Sequence, residues 1–95
     1  MSYFIYILEC RNGNYYTGYT TNLVRRYQEH LAGSYKCKYT RSFPPLRIAA
    51  SWEIPGNLAF TLKIENSIKK LPKAQKIKLI SHPELLKSIT DWLDR

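Results

Sequence analysis

The chain is short of the residues that staple or anchor small proteins. Its two cysteines among 95 residues, Cys10 and Cys37, are too few for a disulfide framework or a Cys-rich zinc site, so both are expected as free thiols packed like small hydrophobes. No apolar run approaches the ~18 residues needed to cross a bilayer. The opening MSYFIYILEC lacks the basic region and small-residue cleavage site of a secretory signal. A membrane is therefore not an expected partner, and the cytoplasm is the expected compartment. Internal repeats and low-complexity segments are also missing, and 44% apolar residues supply material for one core. One domain over 1–95 is expected, with its core at about 3–80 and a helical tail at 81–95.

Acidic residues are scarce as well. Fifteen Lys+Arg stand against 7 Asp+Glu, a net charge of +8. The excess is not spread evenly, because residues 1–80 hold 13 basic and 4 acidic side chains while 81–95 hold 2 and 3. A compact domain this basic attracts polyanions, of which nucleic acid is the commonest. Eight tyrosines, crowded into the first half of the chain, add stacking faces and phenolic hydroxyls beside the cations.

Residues 3–10 and 15–20 are rich in β-branched and aromatic side chains and flank Arg11-Asn12-Gly13-Asn14, whose Asn-Gly marks a hairpin. Thr20-Thr21-Asn22 offers caps for a helix over 22–32, ended by Gly33. The stretch 34–45 reads as a polar, non-periodic loop closed by Pro44-Pro45, and 46–54 as a third strand. Asn57 caps a second helix over 58–71, Pro72 fits the first turn of another, and Pro83 opens a last short one, ELLKSITDWLDR. The order ββαβα with short C-terminal helices predicts an α+β (α/β sandwich) domain, a small three-stranded antiparallel-type sheet flanked by helices.

Helical spacing puts Leu23, Tyr27 and Leu31 of the first helix on one stripe, with Arg26 and His30 along its edge and Arg25 toward solvent. In the second helix Glu65 falls between the apolar Leu58, Leu62 and Ile68. A carboxylate so placed needs either an ion pair, which Lys69 offers at i,i+4, or a divalent cation completed by water and phosphate oxygens. The hairpin supplies Tyr6 and Tyr16, and its register decides whether they meet. A two-residue turn pairs 10 with 15 and sets them on opposite faces; a three-residue loop with a glycine bulge pairs 10 with 16 and 6 with 20 and sets them on one face. In the second register two phenols, a guanidinium, an imidazole and a carboxylate converge, a set suited to phosphodiester hydrolysis.

Phe4-Ile5-Tyr6, then Tyr16-Thr17-Gly18, then Arg26 and His30 in one helix and Glu65 in a later one resemble the GIY-YIG nuclease superfamily. The resemblance covers about residues 3–80 and is nearest to small stand-alone bacterial members akin to Slx-type structure-specific endonucleases. Phe4 stands where the first motif has glycine and Thr17 where the second has isoleucine. The downstream polar residue of some members has no counterpart after Glu65. What the resemblance implies is a metal-dependent endonuclease acting on DNA. Tyr6 and Tyr16 would be the motif tyrosines, one of them acting as general base or orienting water. Arg26 would contact the scissile phosphate, His30 assist proton transfer, and Glu65 hold one divalent metal, Mg²⁺ or Mn²⁺; Gly18 is the motif glycine. Arg25, Lys36, Lys38, Arg41, Lys69, Lys70, Lys73, Lys76 and Lys78 then read as phosphate contacts that carry no sequence information. Target choice is left to DNA shape or to a protein partner. A non-catalytic nucleic-acid-binding module of the same fold is the alternative reading.

Overall fold

The run YFIYILEC has apolar residues on successive positions, the pattern of a strand covered on both faces. In the computed structural model, which describes residues 2–93, this run is the middle strand of the sheet. β1 (Ser2–Cys10) pairs antiparallel with β2 (Tyr15–Thr20) on one edge and with β3 (Pro45–Pro55) on the other. The helices are α1 (Leu23–Ala32), α2 (Lys38–Ser42), α3 (Leu58–Lys69), α4 (Lys73–Ser81) and α5 (Leu86–Leu93), the last preceded by a 3₁₀ turn at Pro83–Leu85. The fold is thus α+β, with a three-stranded antiparallel sheet and helices on both faces.

Alternation along β1 separates two cores. Ile5 and Ile7 point to one face and pack with Ile64 and Ile68 of α3, Leu79 of α4 and Leu86 of α5. Tyr6, Leu8 and Cys10 point to the other, against Tyr16, Leu23, Tyr27, Tyr39 and Ile48. Burying each large aliphatic chain contributes about 1.5–3 kcal/mol, so the first face carries most of the hydrophobic stabilisation. The second is built from aromatic and polar groups.

Asn22 and Asn57 cap α1 and α3, accepting from the backbone N–H of Arg25 and of Phe60, each at 3.1 Å, and Gly33 ends α1 at φ +69°. Cys10 and Cys37 are buried free thiols, as expected.

Several expectations need correction. The hairpin loop does have three residues, Arg11-Asn12-Gly13, but it closes Cys10 onto Asn14 and not onto Tyr16; the Gly13 N–H donates to Cys10 O, and Gly13 adopts φ +81°. The pairs are Tyr6 with Gly18 and Leu8 with Tyr16, neither of the two registers open to the sequence and two residues from the one with a three-residue loop. Because the shift is even, Tyr6 and Tyr16 still share a face. The stretch 34–45 is not all loop: it holds α2, a helix too short to show periodicity. Leu31 is 53% exposed, since the inward side of α1 is centred on Tyr27 and His30. Leu58 is also exposed, while Thr61 and Ile64 take the inward positions of α3. Pro72 stands one place outside α4, and the expected final helix starts as a 3₁₀ turn; its Asp94 and Arg95 lie outside the described residues.

Candidate active site

Tyr6 lies directly across from Gly18, and its ring occupies the space a side chain would fill there. A Cβ on Gly18 would come within 2.5 Å of Tyr6 Oη and 2.7 Å of Cζ. The glycine thus makes room for the tyrosine of the neighbouring strand. Tyr6 Oη in turn sits 2.8 Å from His30 Nε2, and His30 Nδ1 sits 2.7 Å from Thr40 Oγ1 of α2. The Thr40 hydroxyl donates to Cys37 O at 3.2 Å. Tyr6 and His30 are only 2% and 1% exposed.

Burial is the main cause of both groups' shifted titration. It raises the Tyr6 phenol well above its ordinary value, with the Arg26 guanidinium opposing the rise. It lowers the His30 imidazole to about 4, and the Arg26 charge pushes the same way. At neutral pH both are uncharged. Arg26 is 27% exposed at its side chain and pairs with Glu29 at 3.1 Å. Burial works against its charge, yet the Tyr6 phenol and the Glu29 carboxylate hold its pKa above the usual value.

Tyr16 completes the aromatic wall. Its ring centroid is 6.5 Å from that of Tyr6 and 5.3 Å from that of His30, and it stacks on Tyr39 at 5.6 Å. Tyr39 is fixed in place by Asn12, whose amide donates to its hydroxyl at 3.0 Å. Partial burial raises the Tyr16 phenol, Lys69 and Arg26 oppose this, and Glu65 adds to it. Tyr16 therefore lies in the field of charges from both helical layers.

The edge position of β2 explains how. Helices α1 and α3 cover opposite faces, but β2 has no outer neighbour among the described residues, and the two faces meet around its edge. A concavity of about 340 Å³ wraps this edge, lined by Tyr16, Thr17, Tyr39, Lys69, Lys73 and Lys76 among others. A second of about 460 Å³ lies beside Arg25, Arg26, Glu29 and Lys36. Glu65, 5% exposed, has Lys69 at 3.5 Å as its cationic partner among the described residues. That contact is longer than a tight charge-assisted hydrogen bond, which runs about 2.7–2.9 Å.

No group of three or more His, Cys, Asp or Glu is placed to hold a metal among the described residues. Glu65 offers a single hard oxygen donor, which suits a cation that keeps most of its water, Mg²⁺ or Mn²⁺, and not zinc. The donor chemistry fits such an ion.

The structure therefore gathers Tyr6, Tyr16, Arg26 and His30 on one face, with Gly18 beneath Tyr6 and Glu65 around the β2 edge. Lys69, Lys73 and Lys76 line the first concavity; Arg25 and Lys36 line the second. Lys38, Arg41 and Lys70 are exposed but line neither, and Lys78 borders an apolar groove with Leu71 and Leu79. Asn66 is exposed and Asn57 is occupied as a cap, so neither supplies a further polar group to the site. Sequence reasoning missed Thr40, Tyr39 and Glu29. Glu29 was legible at i,i+3 from Arg26; Thr40 and Tyr39 sit on α2, which has no sequence periodicity to announce it.

Comparison with known proteins gives a consistent result. A family profile described as "GIY-YIG catalytic domain" matches residues 2–78. The chain is 40% identical over 81 residues to UPF0213 protein BH0048 of Halalkalibacterium halodurans, covering 85% of this chain and 84% of the relative. It is 43% identical over 82 residues to a UPF0213 protein of Syntrophus aciditrophicus, covering 85% and 93%. A UPF0213 protein of Halobacterium salinarum is 42% identical over 72 residues, covering 76% and 91%. Among solved structures, the solution NMR structure of the UPF0213 protein BH0048 from Bacillus halodurans matches with a TM-score of 0.54 at 40% identity, covering 85% and 84%.

Proposed function

The chain belongs to the GIY-YIG nuclease family, and from that premise we propose that it is a divalent-metal-dependent endonuclease hydrolysing DNA phosphodiester bonds, with branched or flapped DNA of repair or recombination as its substrate class. The observation that carries the reading is the 2.8 Å contact between two neutral buried groups, Tyr6 and His30, with Arg26 beside them and Tyr16 opening onto a lysine-lined concavity.

Lys69, Lys73 and Lys76 track the sugar–phosphate backbone without reading sequence. Arg26 engages the scissile phosphate, and in moving outward it uncovers the Tyr6 hydroxyl. Tyr16 orients the attacking water. Tyr6 takes a proton from that water while its own hydroxyl proton passes to His30 Nε2. The water oxygen forms the new P–O bond, the P–O bond to the leaving sugar oxygen breaks, and that oxygen takes its proton from solvent. A neutral His30 is a weak base in the free protein, and the incoming phosphate charge raises its basicity. Glu65 would hold the Mg²⁺ or Mn²⁺; when bound, such an ion polarises a phosphoryl oxygen. These phosphate contacts carry no sequence information, so target choice rests on DNA shape or on a protein partner.

The test is cleavage of plasmid, branched DNA and a matched RNA with Mg²⁺ or Mn²⁺, with Glu65→Ala as control. Cleavage of DNA that is lost on chelation and in the control is expected. Cleavage that persists in the control removes the assigned role of Glu65. Salt-sensitive binding without cleavage establishes the alternative, a nucleic-acid-binding module in which the Lys69 cation stands where the metal would.

A further inference from the structure

We propose that Thr40 is a positioning residue: by accepting from His30 Nδ1 while donating to Cys37 O, it fixes His30 in the tautomer whose Nε2 receives the Tyr6 hydroxyl proton. This rests on the nuclease reading for its catalytic meaning, but not for its structural content.

A hydroxyl has one proton. That of Thr40 goes to Cys37 O at 3.2 Å, one turn back at the start of α2, so toward His30 at 2.7 Å its oxygen accepts. His30 Nδ1 therefore carries the hydrogen. In a neutral imidazole the other nitrogen is then a bare acceptor, and Tyr6 Oη at 2.8 Å donates to it. With its proton turned inward, the phenol leaves its lone pairs on the side of Arg26, where the water of the proposed reaction arrives. All three side chains are buried, and solvent does not supply substitute partners.

The charged and titratable groups around His30 do not impose this choice. Tyr6 of β1 and Tyr16 of β2 pack edge-on against its ring. Arg26 and Glu29 of its own helix act on its charge, and Arg26 bonds the Tyr6 oxygen without touching either ring nitrogen of His30. Cys37 begins the turn that carries Thr40, and its carbonyl is engaged by the Thr40 hydroxyl. Removing that hydroxyl frees His30 to take the Nε2–H form. Nε2–H then donates to Tyr6, the phenol proton loses its buried acceptor beside a donor-only guanidinium, and no acceptor remains for the proton taken from water.

The experiment is a long-range ¹H–¹⁵N correlation of the histidine rings in the labelled full chain at pH 7, with a His82→Gln variant to assign the second histidine. The wild type is expected to show His30 protonated at Nδ1 and bare at Nε2. Thr40→Val should shift His30 to the Nε2–H form and lower kcat about 100-fold at unchanged KM, the scale of a lost proton transfer; Thr40→Ser should keep the wild-type tautomer and most of the activity. Wild-type His30 protonated at Nε2 overturns the proposal, and that reading needs no variant to fold. A Thr40→Val protein that folds and keeps the Nδ1–H form also overturns it. The tautomer pattern without any cleavage leaves Thr40 as the residue that orients His30, and refutes the nuclease reading instead.

Discussion

Replacing Gly18 with alanine tests the central contact of the site. The added methyl would sit 2.5 Å from Tyr6 Oη, 2.7 Å from Cζ and 3.2 Å from Cε2, so one of the two residues must move. The phenol is the end of a side chain, but it is not free to swing: its ring is 2% exposed, edge-on to His30, and its hydroxyl is bonded there. Overpacking of this kind costs about 1–3 kcal/mol. Pushing the hydroxyl off His30 leaves two buried polar groups short of a partner, about 1–3 kcal/mol more. Alanine returns about 0.5–1 kcal/mol through the stiffer unfolded chain. The expected net destabilisation is about 3 kcal/mol, bounded at about 1 and 5, and the central value corresponds to roughly 10–25 °C in Tm for a domain of this size. Urea unfolding at pH 7 followed by circular dichroism measures it. Tyr6→Phe in the same background removes the oxygen of the worst overlap and should recover about 1 kcal/mol of the combined loss as a coupling energy. A Gly18→Ala protein within 0.5 kcal/mol of wild type and equally active refutes the steric account of this glycine.

Two further outcomes follow from the same geometry. Folding holds His30 at about 4 against an ordinary 6.5, so the unfolded chain binds the proton more readily and stability falls as pH drops from 6.5 to 4, by about 3 kcal/mol in all, then levels off. Urea midpoints from pH 4 to 8 should show this slope in wild type and its flattening in His30→Gln; an unchanged slope in the variant assigns the effect to another group. For binding to a DNA duplex, Lys73→Ala and Lys76→Ala should each shallow the slope of log K against log salt by about 0.9, whereas Lys70→Ala, outside both concavities, should leave it nearly unchanged. Equal slopes for all three variants would show that the concavity is not the phosphate track.

Much of the frame was legible because local chemistry sets it. The β-rich run 3–10, the Asn-Gly turn, the Asn22 and Asn57 caps and the left-handed Gly33 each act within a few residues, and the corresponding elements formed close to their expected bounds. Glu65 was conspicuous for the same reason: a carboxylate among inward helix positions is visible in any helical projection, and so is Lys69 one turn on. Where reasoning failed, the deciding force was not local. Leu31 and Leu58 looked inward by apolarity, but the sheet met those helices on a different side, where His30 and Arg26, or Thr61 and Glu65, already stood.

The order of residues specifies which chemical groups are available and which of them lie on the same element: two tyrosines on a hairpin, a guanidinium and an imidazole one turn apart, a lone acid with a cation beside it. Which groups touch depends on how the elements pack together. The three-residue turn chose a register of even shift, and that put both phenols on one face. The short α2 brought Thr40 to the far side of His30 and Tyr39 onto Tyr16, across gaps of 10 and 23 positions that no sequence period spans. The edge position of β2 let α3 on one face and α1 on the other act on a single tyrosine. Contacts of this kind depend on strand order and on the angle at which helices meet the sheet, quantities set by packing the whole core and not by any run of residues.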